Sequence, residues 1–231
     1  MADHRVLAHL GLQARDYDAA IRRYIPRYEE MIATAVSLVH GDIVDLGTGT
    51  GALATSILDA HPGARVRLVD IDPAMLEAAG DRVARFGARA ELVHASFDPD
   101  GQLPNLWATS PAVDAFVASL ALHHVPELEC KRALYRRIHQ ALRRGGRLVI
   151  ADATVHEHGP ERDVSFAIWS RWMADHGIAQ AEADTLFAQW AREDRYYPLA
   201  TELRLLAEAG FARPDCFWKY GPIAVYGAFR E

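Results

Sequence analysis

Between residues 40 and 155, short apolar runs alternate with longer stretches in which apolar residues recur every three or four positions. That is the pattern of strands and helices in successive βαβ units. The runs at 42–46, 66–70, 90–94, 114–120 and 147–153 are predicted strands. Each is rich in Val, Ile or Leu and lacks strict polar alternation, as expected of parallel strands covered on both faces. Helices are predicted at 52–60, 74–86 and 128–142. Asp72-Pro73 supplies a capping carboxylate and a first-turn proline for the second helix. Gly145-Gly146 reads as the stop after the third.

The flanks follow other periods. Residues 14–39 are helical and amphipathic, with Tyr17, Tyr24, Ile25, Tyr28 and Met31 among polar positions, and Pro26 breaks or kinks them. Residues 161–194 read as two helices inserted after the fifth strand. A last helix at 201–209 ends at Gly210, and runs 216–220 and 223–229, parted by Gly221-Pro222, read as an antiparallel hairpin. The expectation is one α/β domain over 1–231: N-terminal lid helices (14–39), a core (40–155), a helical insert covering the substrate (156–200), and a terminal helix and hairpin (201–231).

Composition supports this and excludes several classes. With 231 residues and half of them apolar, the chain can bury a substantial core. No run approaches ~18 apolar residues, and the N-terminus has no signal-peptide core, so a cytoplasmic protein is expected. The two cysteines, Cys130 and Cys216, have no paired spacing, which removes a disulfide framework and a cysteine zinc site. A net charge of −6 argues against direct nucleic-acid binding. A homodimer stays open.

Chemistry concentrates at two strand ends. Asp45-Leu46-Gly47-Thr48-Gly49-Thr50-Gly51 carries a strand into a glycine turn and then a helix. Glycine lets the backbone turn sharply and a ligand approach, and the helix start presents free N–H groups. Gly47, Gly49 and Ala52 also satisfy a loose dinucleotide pattern, so a nicotinamide-dependent oxidoreductase is one alternative. Asp45 weighs against it: a pyrophosphate there would be repelled, whereas an ammonium or sulfonium cation would be attracted. Asp70, 23 residues past Gly47 at the end of the next strand, is placed to accept from both hydroxyls of a ribose. The helix cap falls to Asp72.

On these residues the chain resembles the class I S-adenosylmethionine (SAM)-dependent methyltransferases. Asp45–Gly51 is similar to their glycine-rich motif and Val69-Asp70-Ile71-Asp72 to their acidic ribose loop. Residues 114–120, continued by Ala121-Leu122-His123-His124-Val125, resemble their fourth strand, and Leu142-Arg143-Arg144-Gly145-Gly146-Arg147-Leu148 the approach to their fifth. The resemblance implies a Rossmann-like, doubly wound, mostly parallel seven-stranded sheet ending in the antiparallel hairpin. It implies SAM as cofactor and S-adenosylhomocysteine (SAH) as product. The methionine end would be held by Asp45 with Gly47, Thr48, Gly49 and Gly51, the ribose by Asp70 and the adenine by Ser96 and Phe97, with Ile71 and Met75 as further cofactor contacts. Ser96 stands where the family usually has an aspartate. Ser119 and Leu120 would line the wall beside the sulfonium. Residues 24–28 and the terminal hairpin resemble the branch that includes carboxy-SAM synthases and small-molecule methyltransferases, in which a tyrosine matching Tyr28 closes over the cofactor. Carboxy-SAM synthesis and tRNA modification are therefore alternatives, as is a non-catalytic SAM-binding module.

On the acceptor side, His124 is the first choice for a general base and His123 the second, because both leave the fourth strand at its carboxyl end. Packing at the site wall is the plainer role for either. Tyr17, His156, Trp169, Trp172 and Tyr220 are the candidate acceptor contacts, the tryptophans as an aromatic stripe that would otherwise be core. His156 and His158 could join His124 around a metal, but solvated loop histidines explain them better, so no metal is expected. The acceptor is expected to be a small molecule.

Overall fold

The computed structural model describes residues 14–96, 112–125 and 127–231. Among them, seven strands form one sheet in the order β3-β2-β1-β4-β5-β7-β6. Strands β1 (Asp42–Leu46), β2 (Arg65–Asp70), β3 (Ala90–His94), β4 (Val113–Ser119) and β5 (Leu142–Ala153) are parallel to their neighbours, and β6 (Ala212–Tyr220) and β7 (Ile223–Phe229) close the sheet as an antiparallel hairpin against β5. The connections leave β1 in one direction and β4 in the other, so the loops after these adjacent strands part and open a crevice at their carboxyl ends. Ligands bind at such switch points in open α/β sheets.

Helices cover both faces. On the chain's first pass α1 (Ala14–Tyr24) and α2 (Tyr28–Ser37) precede β1, with the break at Pro26 as expected. The core helices are α3 (Ala52–Ala60), α4 (Pro73–Val83) and α5 (Leu128–Ala141), followed by α6 (Pro160–Asp175), α7 (Gln180–Trp190) and α8 (Leu199–Glu208). Strand residues alternate between two cores: Ala115 and Val117 of β4 face one, Phe116 and Ala118 the other. The insert does not stand apart. Trp169, Met173, Ile178, Ala183 and Trp190 are buried in the first core together with Tyr24, Ile25 and Tyr28. None of the described helices is long and apolar enough to cross a membrane.

Three local expectations need correction. The third strand is not covered on both faces: β3 is the edge of the sheet, and Leu92 is exposed. Gly145-Gly146 does not end a helix. Helix α5 stops at Ala141 and β5 begins at Leu142, so the glycines sit in a bulged strand start where Gly145 N donates to the Arg230 carbonyl at 2.7 Å. The second core helix ends at Val83 and gives way to a 3-10 segment, Ala84–Arg89, which is itself broken at the non-helical Gly87.

Candidate active site

The crevice begins at the end of β1. There the chain turns through Gly47, Gly49 and Gly51, all with positive φ, into α3. Two of these glycines have different reasons. A Cβ on Gly51 would crowd Ala79 at 3.2 Å, whereas a Cβ on Gly49 would meet nothing within 4 Å and would project into free space. Gly51 therefore serves helix packing, and Gly49 keeps the crevice floor open for a ligand.

Two aspartates set the electrostatics of the floor. Asp45 is buried; its Oδ2 accepts from the Thr48 hydroxyl at 2.6 Å, while its Oδ1 has no hydrogen-bond partner. Burial pushes its carboxyl up to about 7, against the lowering effect of Thr48 and with a further push from Asp70. Asp70 is engaged on both oxygens, accepting from Gly49 N at 2.8 Å and Asp72 N at 2.9 Å, and burial raises its carboxyl too. It thus locks the glycine turn to the second loop, a structural task the sequence did not suggest. Asp72 caps α4 through Ala74 N at 2.9 Å, as expected.

Tyr28, Asp45, Gly47, Thr48, Gly49, Asp70, Ile71, Met75, Ser96, Ser119 and Leu120 all line this cleft, whose free space is about 890 Å³ including its open mouth. Gly51 lies behind the floor. Phe97 falls outside the described residues. Helix α1 roofs the cleft, held by Asp18, which accepts from the Thr50 hydroxyl at 2.7 Å and pairs with Arg82. Arg23 on the same helix donates to the carbonyls of His176 and Gly177 at 3.0 and 3.1 Å, tying the roof to the insert.

A second chamber, of about 460 Å³ including its open mouth, adjoins the first and shares Tyr17, Leu120 and His124 with it. Its remaining walls are Ile21, Ile25, His123, Ala153, Trp169, Trp190, Asp194 and Tyr196. Leu120 stands between the two spaces at φ 52°, a left-handed conformation costly for a branched side chain and typical of functional turns. Of the expected acceptor contacts, Tyr17 and Trp169 are in this chamber and three are not. Trp172 stacks on His176 outside both spaces and donates to the Arg22 carbonyl at 3.4 Å. His156 is exposed, and Tyr220 lies on the surface under the Arg27 guanidinium.

The histidines are held by carboxylates that the sequence reading missed. Asp152, near the end of β5, accepts from the backbone N–H of Leu122 and His123 at 3.0 and 3.1 Å and from His123 Nδ1 at 2.5 Å. Asp194, beyond α7, faces His124 Nδ1 at 3.2 Å and His123 Nε2 at 3.9 Å and accepts from Tyr196 Oη at 2.5 Å. Burial alone would favour neutral groups throughout. The opposed charges outweigh it: His123 is raised, and Asp152 and Asp194 are held below the ordinary carboxylate range. Asp152 had a detectable signal, as a carboxylate inside a predicted apolar strand. Asp194 had none, because 70 residues separate it from His124.

With this geometry, S-adenosylmethionine fits the first cleft on an observation of its own: Asp45 Oδ1 is a buried, unpartnered carboxyl oxygen, and a cationic donor such as an α-ammonium would both satisfy it and hold the carboxyl ionised. The comparisons agree. Residues 44–148 match the model of a methyltransferase domain. The carboxy-S-adenosyl-L-methionine synthase of Campylobacter lari is 21% identical over 222 residues, which cover 93% of this chain and 90% of the synthase. Among solved structures, the S-adenosylmethionine-dependent methyltransferase SibL superposes with a TM-score of 0.60 at 23% identity, over 84% of this chain and 51% of SibL. The O-methyltransferase NcsB1 of neocarzinostatin biosynthesis, solved with S-adenosylmethionine and a hydroxynaphthoic acid, superposes with a TM-score of 0.58 at 22% identity, over 88% of this chain and 53% of NcsB1. The chain spans about half the length of these solved structures. Motif order, sheet order and the buried carboxyl at the end of β1 converge: residues 44–148 carry a methyltransferase domain, and the fold is the Rossmann-like one of S-adenosylmethionine-dependent methyltransferases.

Proposed function

We propose that the chain methylates a small molecule held in the aromatic chamber, and that His124 receives the proton the acceptor loses. The observation that carries this is the shared wall: the only described ionisable groups facing both spaces are Tyr17 and His124, and burial raises the Tyr17 phenol well above its ordinary value, leaving the imidazole as the base. Bound in the cleft, SAM supplies an electrophilic methyl group on a sulfonium. The protein's own part is positional. Asp45 and the glycine turn fix one end of the cofactor, and Asp70, Ile71, Met75 and Ser96 form the wall for its nucleoside. The strained Leu120 and Tyr17 close the junction, and α1 with the insert excludes water, so that two reactants are brought into line. Asp194 orients the His124 ring and stabilises it once protonated.

Carboxy-SAM synthesis is the second reading, favoured by the end-to-end similarity to the synthase. The lining weighs against it. Among the described residues no Arg or Lys faces either space, so an added carboxylate would lack a counter-charge. Arg204, the one basic residue of α8, is exposed and pairs with Glu208 at 2.8 Å. A nicotinamide-dependent oxidoreductase is disfavoured by the buried Asp45. We also place the protein in the cytoplasm and treat it as one functional unit. The test is incubation with SAM labelled in its methyl group and a small-molecule extract of the source cells: a labelled product supports the reading, and label appearing only in a carboxylated SAM derivative supports the second.

A further inference from the structure

Two indoles wall the acceptor chamber, and their N–H groups have different fates. Trp169 Nε1 donates to the Tyr24 carbonyl at 2.6 Å and so belongs to the scaffold. Trp190 is equally enclosed, at 6% exposure, packed by Tyr24, Trp169 and Phe187, yet its Nε1 has no hydrogen-bond partner. An indole N–H is a donor only, and leaving one buried and unmade is costly enough that native structures rarely keep it so without a reason. Here the reason is close at hand, because Trp190 lines the chamber.

The rest of the lining narrows what could meet that donor. Tyr17, Trp169 and Tyr196 offer ring surfaces, and Ile21 and Ile25 add aliphatic ones. Of the two nearby carboxylates, Asp152 accepts from His123, and Asp194 accepts from Tyr196 through one oxygen while the other, which makes no hydrogen bond, lies 3.2 Å from His124 Nδ1 as an ion pair. Among the described residues no Arg or Lys lines the chamber, so an anionic group brought there would lose its hydration without compensation.

We infer that the acceptor is an uncharged, flat ring compound with a hydrogen-bond-accepting oxygen, such as a carbonyl, that is bound by Trp190 Nε1 and is distinct from the group methylated beside His124. Trp190 is then a specificity-determining residue: it admits molecules that satisfy its N–H and rejects isosteres that leave it unmade, the asymmetry by which polar groups in apolar pockets discriminate. This rests on the reading of the chamber as the acceptor site.

The test is equilibrium binding to the SAH complex of the full chain, which does not require turnover. The probes are umbelliferone, a bicycle with a hydroxyl at one end and a lactone carbonyl at the other, and β-naphthol, which keeps the hydroxyl and ring pair but has no carbonyl. Wild type should bind umbelliferone about tenfold or more tighter than β-naphthol, the scale of one hydrogen bond to an otherwise unmade donor. Trp190→Phe should abolish that preference while leaving SAH affinity unchanged, and a carboxylated umbelliferone should bind at least about tenfold more weakly than the parent. Heteronuclear NMR of wild type labelled at the indole nitrogens gives a readout independent of any variant. Of the five tryptophan N–H signals, that of Trp190 should move downfield with umbelliferone and not with β-naphthol. Equal binding of the two probes, binding of neither, a preference that survives Trp190→Phe, or a stationary Trp190 signal would overturn the inference. Failure of wild type to bind SAH would instead remove the reading beneath it.

Discussion

Asp45→Asn should make the free protein more stable and the cofactor weaker to bind, a pairing expected of a group kept for its ligand. The side chain is 1% exposed, and its folded-state pKa of about 7 lies well above the ordinary value of 3.8. Because the folded state holds this proton more tightly than the unfolded chain, wild type loses stability relative to the variant as pH rises from about 4 to about 7, and the gap is constant above that. At about 1.4 kcal/mol for each pH unit, the full cost is roughly 4 kcal/mol, of which between 2 and 3 kcal/mol or so accrues above pH ~5. Asparagine avoids that cost and can still accept from the Thr48 hydroxyl, now bound at 2.6 Å. Thermal unfolding of both proteins at pH ~5 and pH ~8 should therefore show the difference in melting temperature widening by about 5–10 °C at the higher pH, given ~2–4 °C per kcal/mol for a domain of this size. Titration calorimetry at pH ~8 should show SAH affinity in the variant lower by about 10- to 100-fold, the scale of a lost charged hydrogen bond. A melting-temperature difference that is independent of pH, or undiminished SAH affinity, would refute the assignment of Asp45 as a buried carboxyl kept for a cation.

Other substitutions probe the chamber and the scaffold. His124→Asn should lower turnover by ~10²-fold or more without changing SAH affinity, measured by initial rates and calorimetry; near-normal turnover would leave positioning alone as the source of catalysis. Trp172→Ala should leave acceptor and SAH binding within error, since its ring lies outside both spaces, and a large effect on acceptor KM would contradict that placement. Trp169→Ala should instead lower stability by about 3–5 kcal/mol in denaturant unfolding, because it empties a fully buried site. Lys131→Met should cost about 3–5 kcal/mol as well: Lys131 is buried against Glu202, which also accepts from Tyr135 Oη at 2.6 Å and would be left as an unbalanced buried charge.

The parts of the molecule legible in the sequence were those with local causes. Strand runs, the proline break at Pro26, the Asp72 cap and the glycine turn each follow from neighbours within a few residues, and all are present. Errors arose where a distant partner decides. Whether β3 is central or at an edge depends on what pairs beyond it, not on its own residues. Gly145-Gly146 fits a helix stop locally, but pairing with Arg230 draws it into β5. In the site, the residues of the cleft floor were readable as a group because they cluster at two strand ends, whereas the histidine partners were not, since Asp152 and Asp194 reach His123 and His124 only through the fold. The tryptophan stripe shows the same limit at finer scale. Trp169 and Trp172 are three positions apart on α6, and only the packing of α1 against that helix determines which ring enters the chamber.

The most direct measurement for the central claim is native mass spectrometry of the purified protein mixed with SAH and NAD at equal concentration. The account predicts a one-to-one complex with SAH that competes with SAM, and no complex with NAD. A stable NAD complex without an SAH complex would contradict it.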